Sequence, residues 1–198
     1  LVFKESRRSA DAIPQQLVVL SDSKAAAPVG TSLPTSVKDT PDPSPVSVPG
    51  LKRCAVAPSG AEACWELADP AMTAIPDGFL QANTNLTGTL RVGPAVQTIG
   101  ARAFFRTKLT GLDLSEATAL ASIEDSAFYG SGLAGTLVIP AKLAKIGPSA
   151  FQYTKLTGLD LSNATSLVEI GAWAFFGNDN DLEGVLVIPA KLTTIGPS

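Results

Sequence analysis

"LTGLDLSEATALASIEDSAFYG" runs from residue 109 to 130, and "LTGLDLSNATSLVEIGAWAFFG" runs from 156 to 177. Working outward from this pair, an isoleucine anchor recurs in "IPDGF" at 75, "IGARAF" at 99, "IEDSAF" at 123, "IGPSAF" at 146, "IGAWAF" at 170 and "IGPS" at 195. Successive anchors lie 24, 24, 23, 24 and 25 residues apart. Two cassettes alternate between them. One is "LTGLDLS" at 109–115 and 156–162; the other is "GTLRVGP" at 88–94, "GTLVIP" at 135–140 and "GVLVIP" at 184–189. The near-duplicate is one superrepeat of two coils.

A period near 24 has a physical meaning: one supersecondary unit repeats and cannot bury its apolar face alone. Each coil carries a short strand with alternating burial, as in Leu112/Leu114, Leu137/Ile139, Leu159/Leu161 and Leu186/Ile188. A second apolar pair follows, such as Leu143 and Ile146, and leads into the "AF" segment. Stacked coils bury these residues in one continuous core, with neighbouring strands about 4.8 Å apart. Phe79, Phe104, Phe128, Phe151 and Phe175 are expected to stack as a buried ladder. Pro140 and Pro189 end their strands, where no further ladder donor is needed.

"LTGLDLS…SLVEIGAWAF", "LVIPAKLTTIGPS" and "IGPSAF" resemble the BspA-like (Treponema pallidum-type) leucine-rich repeats over roughly residues 70–198. The first coil departs from the pattern, with "IPDGF" for "IGxxAF". The resemblance implies a right-handed leucine-rich-repeat solenoid of α/β type, with short parallel strands, turns and short helical segments. It also implies binding and adhesion rather than catalysis. The family is abundant in bacteria and in unicellular eukaryotes, algae included.

Bulk properties narrow the function further. The 198 residues carry a net charge of −3 and no histidine, with 45% hydrophobic, 17% charged and 6% aromatic residues. A basic patch or stripe, the mark of a nucleic-acid binder, is missing. The apolar run "LVVL" at 17–20 is far short of a membrane-spanning helix. Leu1 rather than methionine opens the chain, which points to a processed or trimmed N-terminus.

Residues 1–50 differ in kind. Seven of the fifteen prolines fall here, ending in "TPDPSPVSVPG". Proline fixes φ, removes a donor and pushes its predecessor towards extended geometry. An extended arm is expected, followed by an N-terminal cap at 51–74 and the solenoid at 75–198. Cys54 and Cys64 frame "CAVAPSGAEAC" in the cap. They fit a disulfide staple worth about 2–3 kcal/mol, which favours a secreted, surface or organelle-luminal location. The other reading is two ordinary thiols. At the far end, "IGPS" repeats 146–149 without its Ala150 and Phe151. Further repeats or a partner are expected there, because solenoids finish with atypical capping units.

The residue between the two strand leucines points out of the sheet. Along the stack this row reads Arg91, Asp113, Val138, Asp160 and Val187, a candidate partner-facing surface. Its two carboxylates sit two coils apart, about 9–10 Å between backbones and at the edge of inverting glycosidase geometry. Nothing in the sequence desolvates them or supplies an acid partner. No histidine base, G-x-S-x-G or metal-ligand cluster occurs, and no catalytic residue, metal or cofactor is expected. Lys108, Lys155, Lys142 and Lys191 recur at alternate coils as spaced basic points, suited to solubility and edge protection or to docking an acidic surface. Two sequons stand at Asn85 and Asn163 where chance supplies roughly one, a weak signal.

These features point to a non-enzymatic interaction protein: a scaffold or linker subunit whose arm and solenoid face contact other proteins of a larger assembly. An algal membrane-bound complex is one concrete form, suggested only by the family's distribution. The alternative is a secreted or cell-surface adhesin.

Overall fold

Every anchor isoleucine closes a two-residue strand, and these strands define the stack. The computed structural model describes residues 17–19, 49–54, 63–178 and 185–197. Numbered along the chain, the first strands are β1 (Leu17–Val19), β2 (Leu51–Arg53), β3 (Cys64–Leu67), β4 (Ala74–Ile75), β5 (Thr87–Val92), β6 (Thr98–Ile99) and β7 (Lys108–Asp113). They continue as β8 (Ser122–Ile123), β9 (Ala134–Val138), β10 (Lys145–Ile146), β11 (Lys155–Asp160), β12 (Glu169–Ile170), β13 (Val185–Val187) and β14 (Thr194–Ile195).

The short strands make one parallel sheet in the order β14-β12-β10-β8-β6-β4. The longer strands make the other wall, as β2-β3-β5-β7 and then β9-β11. β3 pairs parallel with β5, and β4 pairs parallel with β6. Residues 64–75 thus have the layout of a coil, while β2 lies antiparallel on the outer side of β3. Of the expected arm, only 17–19 and 49–50 fall within the described residues.

The alternation of cassettes has a steric cause. A Cβ on Gly111 would sit 2.6 Å from Thr89 Oγ1, and one on Gly158 would sit 2.7 Å from Thr136 Oγ1. Each LTG glycine leaves the room that the threonine of the preceding GTL cassette fills. A coil of one type therefore stacks best on a coil of the other, and the superrepeat spans two.

The expected helical segments are replaced by turns, and no helix occurs among the described residues. The stretch after each of the first five short strands holds two left-handed positions four residues apart. They are Gly78 and Ala82, Arg102 and Arg106, Ser126 and Gly130, Ser149 and Tyr153, and Trp173 and Gly177. Left-handed residues break the helical repeat. Alternate amides then donate to the next coil, as Phe104 to Ala127 O (2.7 Å) and Arg106 to Tyr129 O (2.8 Å). The intervening amides close local turns, as Phe105 to Arg102 O (3.2 Å). Cross-coil bonding does here what a helix would do within its own backbone.

Four phenylalanines form the expected ladder. Phe104, Phe128, Phe151 and Phe175 stack with centroids 5.2, 5.3 and 5.4 Å apart and planes within 9° of parallel. Phe79 departs from it: it is half-buried and meets Phe104 edge-on at 6.3 Å. The reason is register. Leu80 N–H bonds Ala103 O as Phe104 N–H bonds Ala127 O, so Leu80 takes the ladder slot in this coil and Phe79 sits one position early. Leu90, Ile99, Leu109, Leu120, Ile123, Leu137, Ile139, Leu143 and Ile146 complete the core at 1% exposure or less. Leu112 and Leu159 are half-buried, whereas Leu114 and Leu161 are buried.

Candidate protein-interaction surface

Three surfaces have a chemistry of their own. The first is the cap, where β2 and β3 run antiparallel with Arg53 opposite Trp65. Cys54 and Cys64 are next in that register, with Cα atoms 5.4 Å apart, and they are joined as a disulfide. This separation lies inside the usual range for a bridge. Trp65 is buried, its Nε1–H donating to Thr87 O at 2.8 Å, and the Arg53 guanidinium lies 5.2 Å from its ring centroid.

The second surface is the outward row of the long-strand sheet. Arg91 stands opposite Asp113, and Val138 stands opposite Asp160, in the β5–β7 and β9–β11 registers. Glu66 extends the row by pairing with Arg91 across β3–β5. Val138 and Val187 are 48% and 44% exposed, so the row mixes charge with bare apolar surface.

The two aspartates have a structural duty. Asp113 Oδ1 accepts from Ser115 N–H at 3.0 Å, and Asp160 Oδ1 accepts from Ser162 N–H at 2.9 Å. Each carboxylate thereby closes the turn that follows its strand. Arg91 Nε donates to Asp113 Oδ2 at 3.2 Å. Among the described residues no cluster of three or more His, Cys, Asp or Glu could hold a metal ion.

Partial burial raises the Asp113 pKa, but hydrogen bonds from Ser115 and Arg91 outweigh it and hold the carboxyl below its ordinary value. Hydrogen bonds from the Ser162 hydroxyl and amide lower that of Asp160, against a slight opposing effect of burial. A depressed folded pKa means that the unfolded chain takes up protons first as pH falls. The stabilisation is present above the unfolded value near about 3.9 and is lost as pH drops through the folded one. Both groups are solvent-screened, so we expect less than about 1 kcal/mol from the pair. Asp113→Asn with Asp160→Asn keeps the turn acceptor and removes the charge. Urea midpoints measured at about pH 5 and about pH 3 should differ less in this variant than in the parent chain.

The third surface was not singled out from sequence. Outside the buried ladder runs a second aromatic row. Phe105 and Tyr129 stack at 4.9 Å, Tyr129 meets Tyr153 edge-on at 5.4 Å, and Tyr153 meets Phe176 at 6.0 Å. Arg106 lies over Phe105, 5.2 Å from its centroid. Tyr153, Trp173 and Phe176 are 49%, 51% and 41% exposed. Trp173 occupies the left-handed slot that holds exposed Arg102 two coils earlier than Ser149. The doubled aromatic in "AFF" and "AFY" was the available signal. It was masked in one coil, because Gln152 takes the slot of Phe105 and Tyr129 while Tyr153 comes from the next position. Gly177 makes room for that shift: a Cβ there would lie 2.5 Å from the Tyr153 ring.

Lys108, Lys142, Lys155 and Lys191 are all exposed, as are Asn85 and Asn163 of the two sequons. Neither set is brought together into a cluster with the aromatic row by any hydrogen bond or ion pair described here.

No curated protein matches the chain. Among solved structures it is similar to the pneumococcal vaccine antigen PcpA, at 27% identity and a TM-score of 0.45, over 55% of this chain and 26% of that one. The matched region thus spans about a quarter of PcpA. Residues 73–198 match the BspA type leucine rich repeat region in six copies. That is well over half of the sequence and covers the whole short-strand sheet from Ala74 to Ile195, so the chain belongs to the BspA-type leucine-rich repeat family.

Proposed function

We propose that this chain is a non-enzymatic protein-interaction module that binds its partner through the outer aromatic row. The carrying observation is the exposed aromatic surface on the stacked coils: Tyr153 and Phe176 in that row, Trp173 three residues before Phe176 in the same turn, and exposed Arg102 and Arg106 in the coil of Phe105. Tyrosine, tryptophan and arginine are the residues that dominate binding energy at protein interfaces. The rings are already positioned by the coils beneath them, which reduces the ordering cost of binding. Leucine-rich repeats of this family are interaction modules in general, which supports the same reading.

The Cys54–Cys64 bond favours an oxidising compartment, where disulfides persist. No helix among the described residues is long and apolar enough to cross a membrane. Within this reading the sheet-face row Arg91, Asp113, Val138, Asp160 and Val187 is a secondary contact surface. A linker subunit of a larger assembly and a surface adhesin are its two narrower forms.

Chemical cross-linking in the native extract, followed by identification of the captured partner, supplies the ligand for a binding assay. Tyr153→Ser with Trp173→Ser should weaken that binding at least about tenfold, the loss of one or two hot-spot residues. Arg91→Ser with Val138→Ser should leave it within about threefold, as expected for a peripheral contact. The reverse order of effects would move the site to the sheet face.

A further inference from the structure

The long-strand wall is closed at both described ends by strands that run against it. At one end lies β2, antiparallel to β3. At the other lies β1, antiparallel to β13 in the register Leu17↔Val187, Val18↔Leu186 and Val19↔Val185. All other strand pairs between coils among the described residues are parallel. An antiparallel strand uses the edge's hydrogen-bonding groups and does not continue a solenoid.

We propose that the free edge of β13 is a strand-addition site, and that its occupant is the chain's own segment Leu17–Val19, which straps the edge in cis. The sequence suits the role. "LVVL" at 17–20 is the strongest run of β-formers within the first fifty residues, set among Pro, Ser, Ala and Gln. It meets "VLV" of β13, so apolar β-formers lie opposite one another along the whole contact. An unpaired edge of this composition is a template for pairing with another chain.

The connection is long enough. From β3 to β13 the wall advances by five strand spacings, about 24 Å. Residues 20–50 separate β1 from β2, and a chain of that length spans up to about 100 Å when extended. The tether returns the arm to its own edge at an effective concentration in the millimolar range, well above that of any second copy in dilute solution. The described pairing is short, three residues on each strand, which makes the strap exchangeable. This proposal does not depend on the aromatic row binding a partner.

Val18→Cys with Leu186→Cys in the full 198-residue chain tests the register directly. The native cysteines are bonded to each other and do not compete. Mild oxidation of a dilute sample, followed by non-reducing electrophoresis and peptide mass mapping, should give a monomer carrying the 18–186 bond. A disulfide-linked dimer would assign the edge to a second copy's arm and overturn the cis strap. Two free thiols would overturn the site itself.

A second measurement guards against a variant that fails to fold. Val18→Pro with Val19→Pro removes adjacent donors, and so breaks the ladder whichever alternate residue faces β13. At least one amide of Val185–Val187 should then exchange about tenfold faster, while the amide of Leu159 in β11 stays unchanged. Unaltered exchange across β13 would overturn the proposal.

Discussion

Phe128→Ala should lower the stability of the chain by about 3–5 kcal/mol, the largest effect expected of any single truncation in the stack. Phe128 is fully buried, with Phe104 5.2 Å away on one side and Phe151 5.3 Å away on the other. Its ring is a rung of the ladder, so its loss opens a void between two coils whose spacing is held by both sheets. Neither neighbour can move in to fill it, because Ile123 and Ile146 tie the coils in the short-strand sheet. Relaxation is therefore limited, and the cavity cost adds to the transfer cost. Urea denaturation followed by far-ultraviolet circular dichroism measures the loss. Phe128→Leu should recover more than half of it, since Leu80 already fills the same slot in the first coil at 5% exposure. A loss below about 1 kcal/mol for the alanine variant would place the ring outside the core.

Breaking the Cys54–Cys64 bond should cost about 2–3 kcal/mol. The bridge closes a loop with a sequence separation of 10 and anchors β2 against β3 at the start of the stack. Much of the effect is expected in the unfolded chain, whose freedom the bridge restricts. The folded-state part should be local: without the bridge, β2 loses the staple that holds Leu51 and Arg53 against Leu67 and Trp65 of β3. Cys54→Ser with Cys64→Ser, compared with the parent chain under non-reducing conditions, measures the difference in denaturation midpoint. Amide exchange should rise in Lys52 and Glu66 and stay constant beyond β7. Intact mass before and after reduction and alkylation checks the bond. Free thiols in a sample kept from reductant would remove both the staple and the argument for an oxidising compartment.

The anchors show how far periodicity reaches. Ile75, Ile99, Ile123, Ile146, Ile170 and Ile195 were each read as a repeat mark, and each is the second residue of a short strand. The aromatic ladder was legible from Phe104 to Phe175 but not at Phe79. "IPDGFL" places its aromatic one residue early, and a one-position shift cannot be seen until Leu80 is found bonded in the ladder register. The outward row was legible too, because alternation along a strand sets which side chains face out. The turn-capping role of Asp113 and Asp160 was not, since it depends on where the Ser115 and Ser162 amides point after the strand ends.

By itself, then, the sequence determined the coil, its period, most of its buried residues and the family, because burial in a stacked repeat is a local pattern copied from coil to coil. The tertiary structure decided what passes between coils. Left-handed residues such as Arg102 and Ser126 turn their amides to the neighbouring coil, and turns replace the expected helices. Tyr153 reaches the outer aromatic row only because Gly177 of the next coil leaves space for its ring. Val18 meets Leu186 across a separation in sequence that no repeat period encodes. Contacts of these kinds depend on backbone direction and on the neighbour's side-chain volume. Neither quantity is carried by the spacing of apolar residues along a single coil.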